Sequence, residues 1–234
     1  MKLSPRLMTI VEQVKQGSYV ADIGTDHGYI PVFLIEKAIA NKVVASDVNE
    51  GPLKRAVHTI QQHHLGHCIE CRLGSGLEPI KPGEVDTVII AGMGGLLIRD
   101  ILNNNLTLTK SFDTFILQPM VAQDELRRWL IGNGYKIINE KLCREEHRIY
   151  EIIVVEKGQQ SIEDDIYFEI GTKLIENRDP LLEEFLKKHI KKYEDIIDSI
   201  ERQGSIMANE KMEMCIRKIG KLKEVLRWLS NVQK

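Results

Sequence analysis

The sequence predicts an α/β protein with a mostly parallel, Rossmann-like sheet, followed by a smaller helical domain. Short apolar runs alternate with helical stretches as far as about residue 155, and this alternation is typical of a parallel sheet covered on both faces. Beyond residue 158 strand patterns are absent and the chain has helical periodicity only. The 234 residues suffice for one α/β core and an appended domain. We therefore predict one domain over residues 1–158 and a second over 159–234.

The elements of the first domain follow from their apolar spacing and from the turn residues between them. Apolar runs predict strands at 19–23, 42–47, 69–73, 85–91, 113–118, 135–142 and 149–155. Helical spacing predicts helices at 3–16, 29–40, 52–65, 94–104 and 122–132. The last two strands have no helix between them, so they should form an antiparallel hairpin. A mostly parallel sheet that ends in such a hairpin is typical of the class I methyltransferase variant of the Rossmann fold.

The second domain carries two apolar stripes at spacings of three and four residues. Two such stripes predict an antiparallel helical hairpin packed as a coiled coil, with a turn at the glycine and serine of positions 204 and 205. The first stripe contains Leu182, Leu186, Ile190, Tyr193, Ile197 and Ile200, and the second contains Met212, Cys215, Ile219, Leu222, Leu226 and Leu229.

Basic residues cluster beside both stripes and are candidates for contact with RNA. The alternative is an ordinary solvated helix face, because acidic residues dilute the first cluster. The candidates are Lys187, Lys188, Lys191 and Lys192 on the first helix and Arg217 and Lys218 on the second.

The composition excludes several classes of protein. No apolar run approaches the roughly 20 residues that span a bilayer, and the first residues lack the apolar segment of a secretory signal, so we expect a cytoplasmic protein. A net charge of −2 does not indicate a strongly basic nucleic-acid binder. The C-x-x-C of Cys68 and Cys71 resembles zinc-ligand spacing, but residues i and i+3 of a strand point to opposite sides. We therefore expect no metal site.

The stretch ADIGTDHGYIP, residues 21–31, predicts a nucleoside-binding loop after the first strand. Gly24 and Gly28 permit close approach of a ligand to the backbone, and the helix that follows offers free N–H groups. Asp47 ends the second strand 25 residues after Asp22, where an acidic side chain can accept both hydroxyls of a ribose. The alternative is an ordinary glycine turn beside a strand-terminal aspartate.

The acidic residues of this loop favour S-adenosylmethionine over a dinucleotide. Asp22 and Asp26 would repel a diphosphate but suit the ammonium and sulfonium groups of this methyl donor. Two further loops follow the third and fourth strands, where open α/β sheets bind ligands. Gly74, Ser75 and Gly76 lie in the first of these loops, and Ala91, Gly92 and Met93 lie in the second. An NAD(P)-binding oxidoreductase and a non-catalytic adaptor that binds proteins through the helical hairpin are the alternatives.

Six motifs together resemble those of the bacterial tRNA (adenine-N1)-methyltransferase family, whose members modify adenosine 22. They are ADIGTDHGYIP, SDVNEGP (46–52), GSGLEP (74–79), IIAGMGG (89–95), LQP (117–119) and YEIIVVE (150–156), followed by the helical hairpin. The resemblance covers essentially the whole chain. It implies S-adenosylmethionine as the methyl donor, tRNA as the substrate and a cofactor contact at Val48 beside Asp47. Ser75 departs from the family pattern, since similar proteins have Asp or Asn there, near the adenine of the cofactor.

The chemistry implied is methyl transfer to a ring nitrogen. Adenine N1 has a free lone pair at neutral pH, so positioning should matter more than a general base. Candidates to hold or orient the target adenosine are His27, Tyr29, Met93 and Gln118, and Arg6 is a candidate for contact with a phosphate. Each of these could instead be a packing or capping residue. We expect a monomer.

Overall fold

The structure is a computed structural model of the chain, which describes residues 1–203 and 209–232. The chain forms two compact units, Met1–Ser161 and Ile162–Lys234. Within the described residues, none of the helices is both long enough and apolar enough to cross a membrane.

The first unit contains a seven-stranded sheet in the order β3-β2-β1-β4-β5-β7-β6. Strands β1 to β5 are parallel, and β7 runs antiparallel to both β5 and β6. The predicted fold class and the terminal hairpin are therefore confirmed. Strand order reverses between β1 and β4, which creates the crevice where ligands bind in open α/β sheets. The strands are β1 (Ser18–Ile23), β2 (Ala40–Asp47), β3 (Ile69–Leu73), β4 (Thr87–Met93), β5 (Thr114–Pro119), β6 (Tyr135–Glu145) and β7 (Arg148–Lys157).

Helices cover both faces of this sheet. One face packs against α1 (Pro5–Val11), α2 (Tyr29–Glu36) and α3 (Glu50–Gln62). The other packs against α4 (Gly95–Asn104), α5 (Leu106–Thr109) and α6 (Gln123–Gly132). Successive strand residues serve opposite cores: Val88 and Ile90 belong to the second core, whereas Ile89 between them belongs to the first. This alternation explains why the strands are near-continuous apolar runs.

Some predicted helix bounds were wrong. Helix α1 begins after Ser4, whose hydroxyl accepts a hydrogen bond from the N–H of Leu7, but it ends at Val11 rather than near residue 16. Helix α2 ends at Glu36 rather than near residue 40, because Ala38 takes a positive φ of 53° and β2 begins at Ala40. The short helix α5 was not predicted.

A buried cluster of charges joins α6 to the β6–β7 hairpin. The side chain of Arg127 is fully buried, and its Nε donates to Glu140 at 2.7 Å while Nη2 donates to Glu151 at 2.6 Å. Burial opposes the charge of Arg127, but the two carboxylates outweigh it and raise the pKa of Arg127 above its ordinary value. The cluster therefore fixes the helix to the hairpin through charged groups that would be costly to separate.

The second unit is helical, with α7 (Ile166–Ile170), α8 (Thr172–Glu176), α9 (Leu182–Gln203) and α10 (Asn209–Val232). Helices α9 and α10 pack against each other. The residues of both predicted stripes are buried or half-buried. The predicted turn at positions 204 and 205 lies outside the described residues, and coiled-coil packing stays a prediction.

Candidate active site

The loop after β1 is held against the end of β2. The N–H groups of Gly24 and Thr25 both donate to the carbonyl of Ser46, at 2.8 and 2.9 Å. Gly24, Asp26 and Gly28 all have positive φ, of 75°, 49° and 70°. These three residues with positive φ turn the chain sharply between β1 and α2. Glycine is favoured at such positions because it has no Cβ.

The two glycines of this loop have different roles. A Cβ at Gly24 would overlap the Cε of Met93 at the end of β4, so this glycine leaves room at the crevice between β1 and β4. A Cβ at Gly28 would lie 3.2 Å from the Cα of Ala56 in α3. Gly28 therefore lets the start of α2 pack closely on α3. This glycine serves helix packing and does not border the cavity at this loop.

Two acidic residues lie at the carboxyl ends of β1 and β2. Asp22 is buried, and this burial raises its pKa from 3.8 to about 6, with the nearby Asp47 carboxylate acting in the same direction. The Oδ1 of Asp47 accepts from the N–H of Asn49 at 2.9 Å, and Oδ2 accepts from the N–H of Asp26 at 3.4 Å. Each oxygen keeps a further lone pair, so Asp47 can still accept hydroxyl groups.

The loops after β2 and β3 are joined at the same edge of the sheet. The N–H of Gly74 donates to the carbonyl of Asp47 at 3.0 Å. Val48, beside Asp47, is 61% exposed although it is apolar. Ser75 and Gly76 line a cavity of about 470 Å³ with Leu97 of α4. Exposed apolar side chains beside a polar loop are suited to a flat ring such as adenine.

A second cavity, of about 380 Å³, opens between the loop after β1 and the end of β4. Eight of the residues predicted as site residues line it: Arg6, Asp22, Gly24, Asp26, His27, Tyr29, Ala91 and Gly92. The structure thus brings together residues from α1, β1, α2 and β4 that are far apart in the sequence.

Arg6 and Gln118 form a polar pair at this cavity that sequence patterns did not reveal. The Nη1 of Arg6 donates to Oε1 of Gln118 at 2.7 Å, and the same oxygen accepts from the N–H of Gly92 at 3.2 Å. The Nε2 of Gln118 donates to the carbonyl of Pro119 at 3.0 Å. Gln118 is fully buried, so its amide holds the cation of α1 against the end of β4.

Arg6 is also held by the β6–β7 hairpin. Its backbone N–H donates to Glu145 at 3.0 Å, and its Nε lies 3.8 Å from the same carboxylate. Its guanidinium lies 5.4 Å from the centroid of the Tyr150 ring. A cation with this many partners is fixed in position at the wall of the cavity.

The rings of His27 and Tyr29 stack on each other at the cavity. Their centroids are 5.1 Å apart, and their planes differ by 10°. Tyr29 is 42% exposed, so part of its ring is available to a further flat group. Asp26 pairs with Arg55 at 2.5 Å and lies 3.5 Å from His27, so its carboxylate is partly neutralised.

The glycine-rich stretch that we expected to follow the fourth strand begins inside it, because β4 extends to Met93. Gly92 lies where the register of β4 against β5 shifts, has a φ of +75° and lines the cavity. A Cβ at Gly95 would overlap the carbonyl oxygen of Ala122, whereas Gly94 has a negative φ and caps α4. Gly95 therefore allows tight packing against the segment before α6, whereas Gly92 leaves the cavity accessible.

The basic residues predicted to contact RNA are largely paired with acidic neighbours on α9. Lys187, Lys188 and Lys191 each pair with an acidic residue four positions away. The ammonium of Lys192 lies 5.7 Å from the Tyr193 ring.

Helix α10 carries the other predicted RNA contacts. Lys218 pairs with Glu169, and Arg217 is exposed. Helix α10 has six basic and three acidic residues, whereas α9 has five basic and six acidic. The positive charge of this unit is therefore concentrated on α10.

Within the part of the chain that the structure describes, His, Cys, Asp and Glu side chains form no group of three or more that could hold a metal ion. Cys68 precedes β3 and Cys71 lies within it. Burial raises the pKa of Cys71 to about 11, which disfavours the thiolate that a metal requires.

The sheet order, the terminal antiparallel hairpin and the carboxylates at the carboxyl ends of β1 and β2 define a class I methyltransferase. Residues 20–224 match the tRNA (adenine(22)-N(1))-methyltransferase family. A curated Bacillus subtilis enzyme of that description is 37% identical over 160 residues, which are 68% of this chain and 67% of the relative. The chain therefore belongs to the tRNA (adenine(22)-N(1))-methyltransferase family.

Solved structures agree with this assignment. The crystal structure of a Streptococcus pneumoniae protein described as a tRNA (m1A22) methyltransferase is 33% identical, with a TM-score of 0.89 over 96% of this chain and 100% of that chain. The same protein is also solved in complex with S-adenosyl-L-methionine. A Mycoplasma capricolum relative bound to S-adenosyl-homocysteine is 26% identical, with a TM-score of 0.82 over 97% of this chain and 99% of that chain. The oxidoreductase alternative has no support among these relatives.

Proposed function

We propose that this chain transfers a methyl group from S-adenosylmethionine to N1 of adenosine 22 in tRNA. The observation that supports this most directly is the cavity between β1 and β4, where acidic and basic side chains face a common space. Because the proposed substrate is tRNA, we expect the chain to act in the cytoplasm, and we expect it to act as a monomer.

The residues present fit S-adenosylmethionine. Gly24 lines the cavity without a side chain, and Asp22 contributes a buried carboxylate beside it, which suits a cationic ligand. We assign Asp47 to the ribose hydroxyls, because its carboxylate lies at the end of β2 and keeps free lone pairs. We assign Val48, Gly74, Ser75 and Gly76, in the loops after β2 and β3, to the adenine. When bound, S-adenosylmethionine supplies an electrophilic methyl group on a sulfonium sulfur.

The shorter side chain at Ser75 does not remove the polar character of this region. The Ser75 carbonyl accepts from the N–H of Glu78, so the loop is fixed by its own backbone. Backbone groups and the Ser75 hydroxyl can therefore replace the longer Asp or Asn side chain of similar proteins in hydrogen bonding to adenine.

The target adenosine needs a flat surface and a polar edge. We assign the surface to the stacked rings of His27 and Tyr29, since the exposed part of Tyr29 borders the cavity. A base held in folded tRNA must leave its stack to reach such a pocket. Backbone carbonyl groups near Gly92, at the end of β4, can accept from the N6 amino group, while the lone pair of N1 remains free.

Arg6 contributes a fixed guanidinium at the cavity wall, where it can contact a phosphate next to the target adenosine. Gln118 acts as a positioning residue, because its buried amide is hydrogen bonded to Arg6, Gly92 and Pro119. Placement of the base, rather than proton removal by a general base, is then the main contribution of these side chains.

The test of this function is nucleoside mass spectrometry of a tRNA transcript incubated with the protein and S-adenosylmethionine. We expect 1-methyladenosine with an adenosine at position 22 and none when that position carries guanosine. Absence of 1-methyladenosine in both transcripts would contradict the proposal.

The assignment of Asp47 has a separate test. Asp47→Ala removes the acceptor for both ribose hydroxyls, and hydrogen bonds to a charged group contribute about 1.5–3 kcal/mol each. We therefore expect cofactor affinity to fall at least about tenfold in titration calorimetry with S-adenosylhomocysteine. Asp113→Ala is the matched control, because Asp113 is an exposed carboxylate just before β5. It lies at the amino ends of the parallel strands, whereas Asp47 lies at their carboxyl ends. Equal affinities for Asp47→Ala and the parent would show that the ribose is held elsewhere.

A further inference from the structure

The helical unit contains a cavity of its own, separate from the residues of the candidate active site. Its volume is about 480 Å³, and its walls come from α7, α8, α10 and the segment just before α7. The lining includes the rings of Tyr167 and Trp228 and the aliphatic side chains of Ile166, Ile175 and Val225. These walls offer two aromatic rings and an apolar floor to a flat ligand.

Helix packing does not explain why the side chain of Trp228 is exposed at this cavity. It is 42% exposed, although the apolar residues beside it on α10, Val225 and Leu229, are buried. The guanidinium of Arg178 lies 5.9 Å from the centroid of its ring. An exposed indole with an arginine beside it is the combination on which proteins stack single-stranded bases.

The face of α10 that contains Trp228 carries basic residues, whereas the cavity wall also includes the carboxylates of Asp164, Glu176 and Glu224. Arg217, Lys221 and Trp228 are four and seven residues apart, so they follow one face of α10. Lys221 lines the cavity and pairs with Asp164, and Arg217 is exposed one turn away. Helix α10 carries a net positive charge, in contrast to α9. Phosphates on either side of a base in the cavity would meet this basic face.

A carboxylate in the cavity wall can read the edge of a base. Glu224 is exposed at the wall, and a carboxylate accepts hydrogen bonds from exocyclic amino groups.

We propose that this cavity binds one unstacked nucleobase of the RNA substrate, with Trp228 as the stacking surface and the basic face of α10 holding the adjacent phosphates. This base is distinct from the methylated adenosine. The proposal rests on the proposed function, because that function supplies the RNA, and it assigns part of the RNA affinity to residues outside the cofactor-binding unit.

The first experiment measures the emission of Trp228 directly. The full chain has two tryptophans, so Trp129→Phe leaves Trp228 as the only one. This variant is titrated with an unmodified tRNA transcript that carries adenosine at position 22. Stacking of a base on the indole should quench the emission with the same midpoint as tRNA binding measured by filter retention. Binding without any change in emission would overturn the proposal.

The second experiment compares substitutions on α10. Trp228→Ala should raise the KM for tRNA about tenfold or more, and Trp228→Phe should stay within about threefold of the parent, because a phenyl ring still stacks. Ile216→Ala is the matched control, since Ile216 is 53% exposed on the same helix, lies outside the cavity and is on a different face from Arg217, Lys221 and Trp228. The KM for S-adenosylmethionine should not change in any of the three. An unchanged KM for tRNA in Trp228→Ala, or an equal increase in the Ile216 control, would overturn the proposal.

These outcomes separate this proposal from the proposed function. If the parent forms no 1-methyladenosine, the proposed function fails, and the fluorescence titration still decides whether RNA contacts Trp228. If the parent is active and Trp228→Ala keeps the parent KM for tRNA, only the nucleobase site fails. Thermal melting checks that Trp228→Ala is folded, and if it is not, the titration of Trp129→Phe decides alone.

Discussion

The buried carboxyl of Asp22 should make the free protein less stable near neutral pH, and Asp22→Asn tests this. Asp22 is 4% exposed, and its burial raises its pKa from 3.8 to about 6, with Asp47 acting in the same direction. An acid whose pKa is higher in the folded chain binds its proton more tightly there than in the unfolded chain. Folding therefore favours the protonated form of this group and opposes the ionised form.

The sign and size of the effect follow from these two pKa values. The contribution of Asp22 to stability is most favourable below pH 3.8, falls as the pH rises from 3.8 to about 6, and stays low above that range. The difference between the two values corresponds to about 3 kcal/mol, at about 1.4 kcal/mol for each tenfold change in proton affinity. Asn has a similar shape without the charge, so Asp22→Asn should raise the free energy of unfolding at pH 8 by about 1–3 kcal/mol.

The assay is urea unfolding of the full chain between pH 4 and pH 8. Trp228→Phe is used as the background, so that the emission of Trp129 reports on the unit that contains Asp22. The control is Asp113→Asn, which removes an exposed carboxylate and should change stability by less than about 1 kcal/mol. The same Asp22→Asn variant should bind S-adenosylmethionine more weakly, because the ionised carboxylate is the form that suits a cation. If Asp22→Asn and the parent had the same pH dependence, the burial argument would be refuted.

Two further substitutions test other parts of the first unit. Arg127→Met leaves two buried carboxylates without their cation and should lower the free energy of unfolding by about 3–5 kcal/mol in the same urea experiment. The control is Arg99→Met, at a partly exposed site, which should lower it by less than about 1 kcal/mol. An equal effect of both would contradict the role of the buried cluster. Gly24→Ala forces a side chain into a positive φ and against Met93, so cofactor affinity in calorimetry should fall at least about tenfold, with a loss of stability of about 1–2 kcal/mol. Gly132→Ala, where nothing lies near the added Cβ, should bind as the parent does.

The elements that could be predicted from the sequence are those whose cause is local. Strand β4 is a run of mostly buried apolar residues, whereas β3 alternates apolar and charged residues, and both patterns can be read from the sequence alone. The bounds of α1 and α2 could not be predicted as well, since they depend on single residues such as Ala38 that adopt positive φ only in the folded context. The four-residue helix α5 is too short to show a period.

The site shows the same division between local and distant causes. The loop after β1 is recognisable because its glycines and acidic residues are contiguous. The pairing of Arg6 with Gln118 spans 112 residues, and that of Arg127 with Glu151 spans 24, so neither leaves a pattern in the sequence. Arg6 in particular has the sequence context of a surface helix residue, and only the packing of α1 against the sheet places it at the cavity.

The partners of Arg6 explain why this residue is fixed at the cavity. Its Nη1 donates to the amide oxygen of Gln118, and its Nε lies 3.8 Å from the carboxylate of Glu145, so an amide and a carboxylate hold the guanidinium together. The Gln118 oxygen also accepts from the N–H of Gly92, which joins α1 to the end of β4. Gln118 is fully buried, and a carboxylate at the same position would carry a desolvation cost that the amide avoids. The neutral amide therefore fixes the geometry of this corner of the cavity without burying another charge.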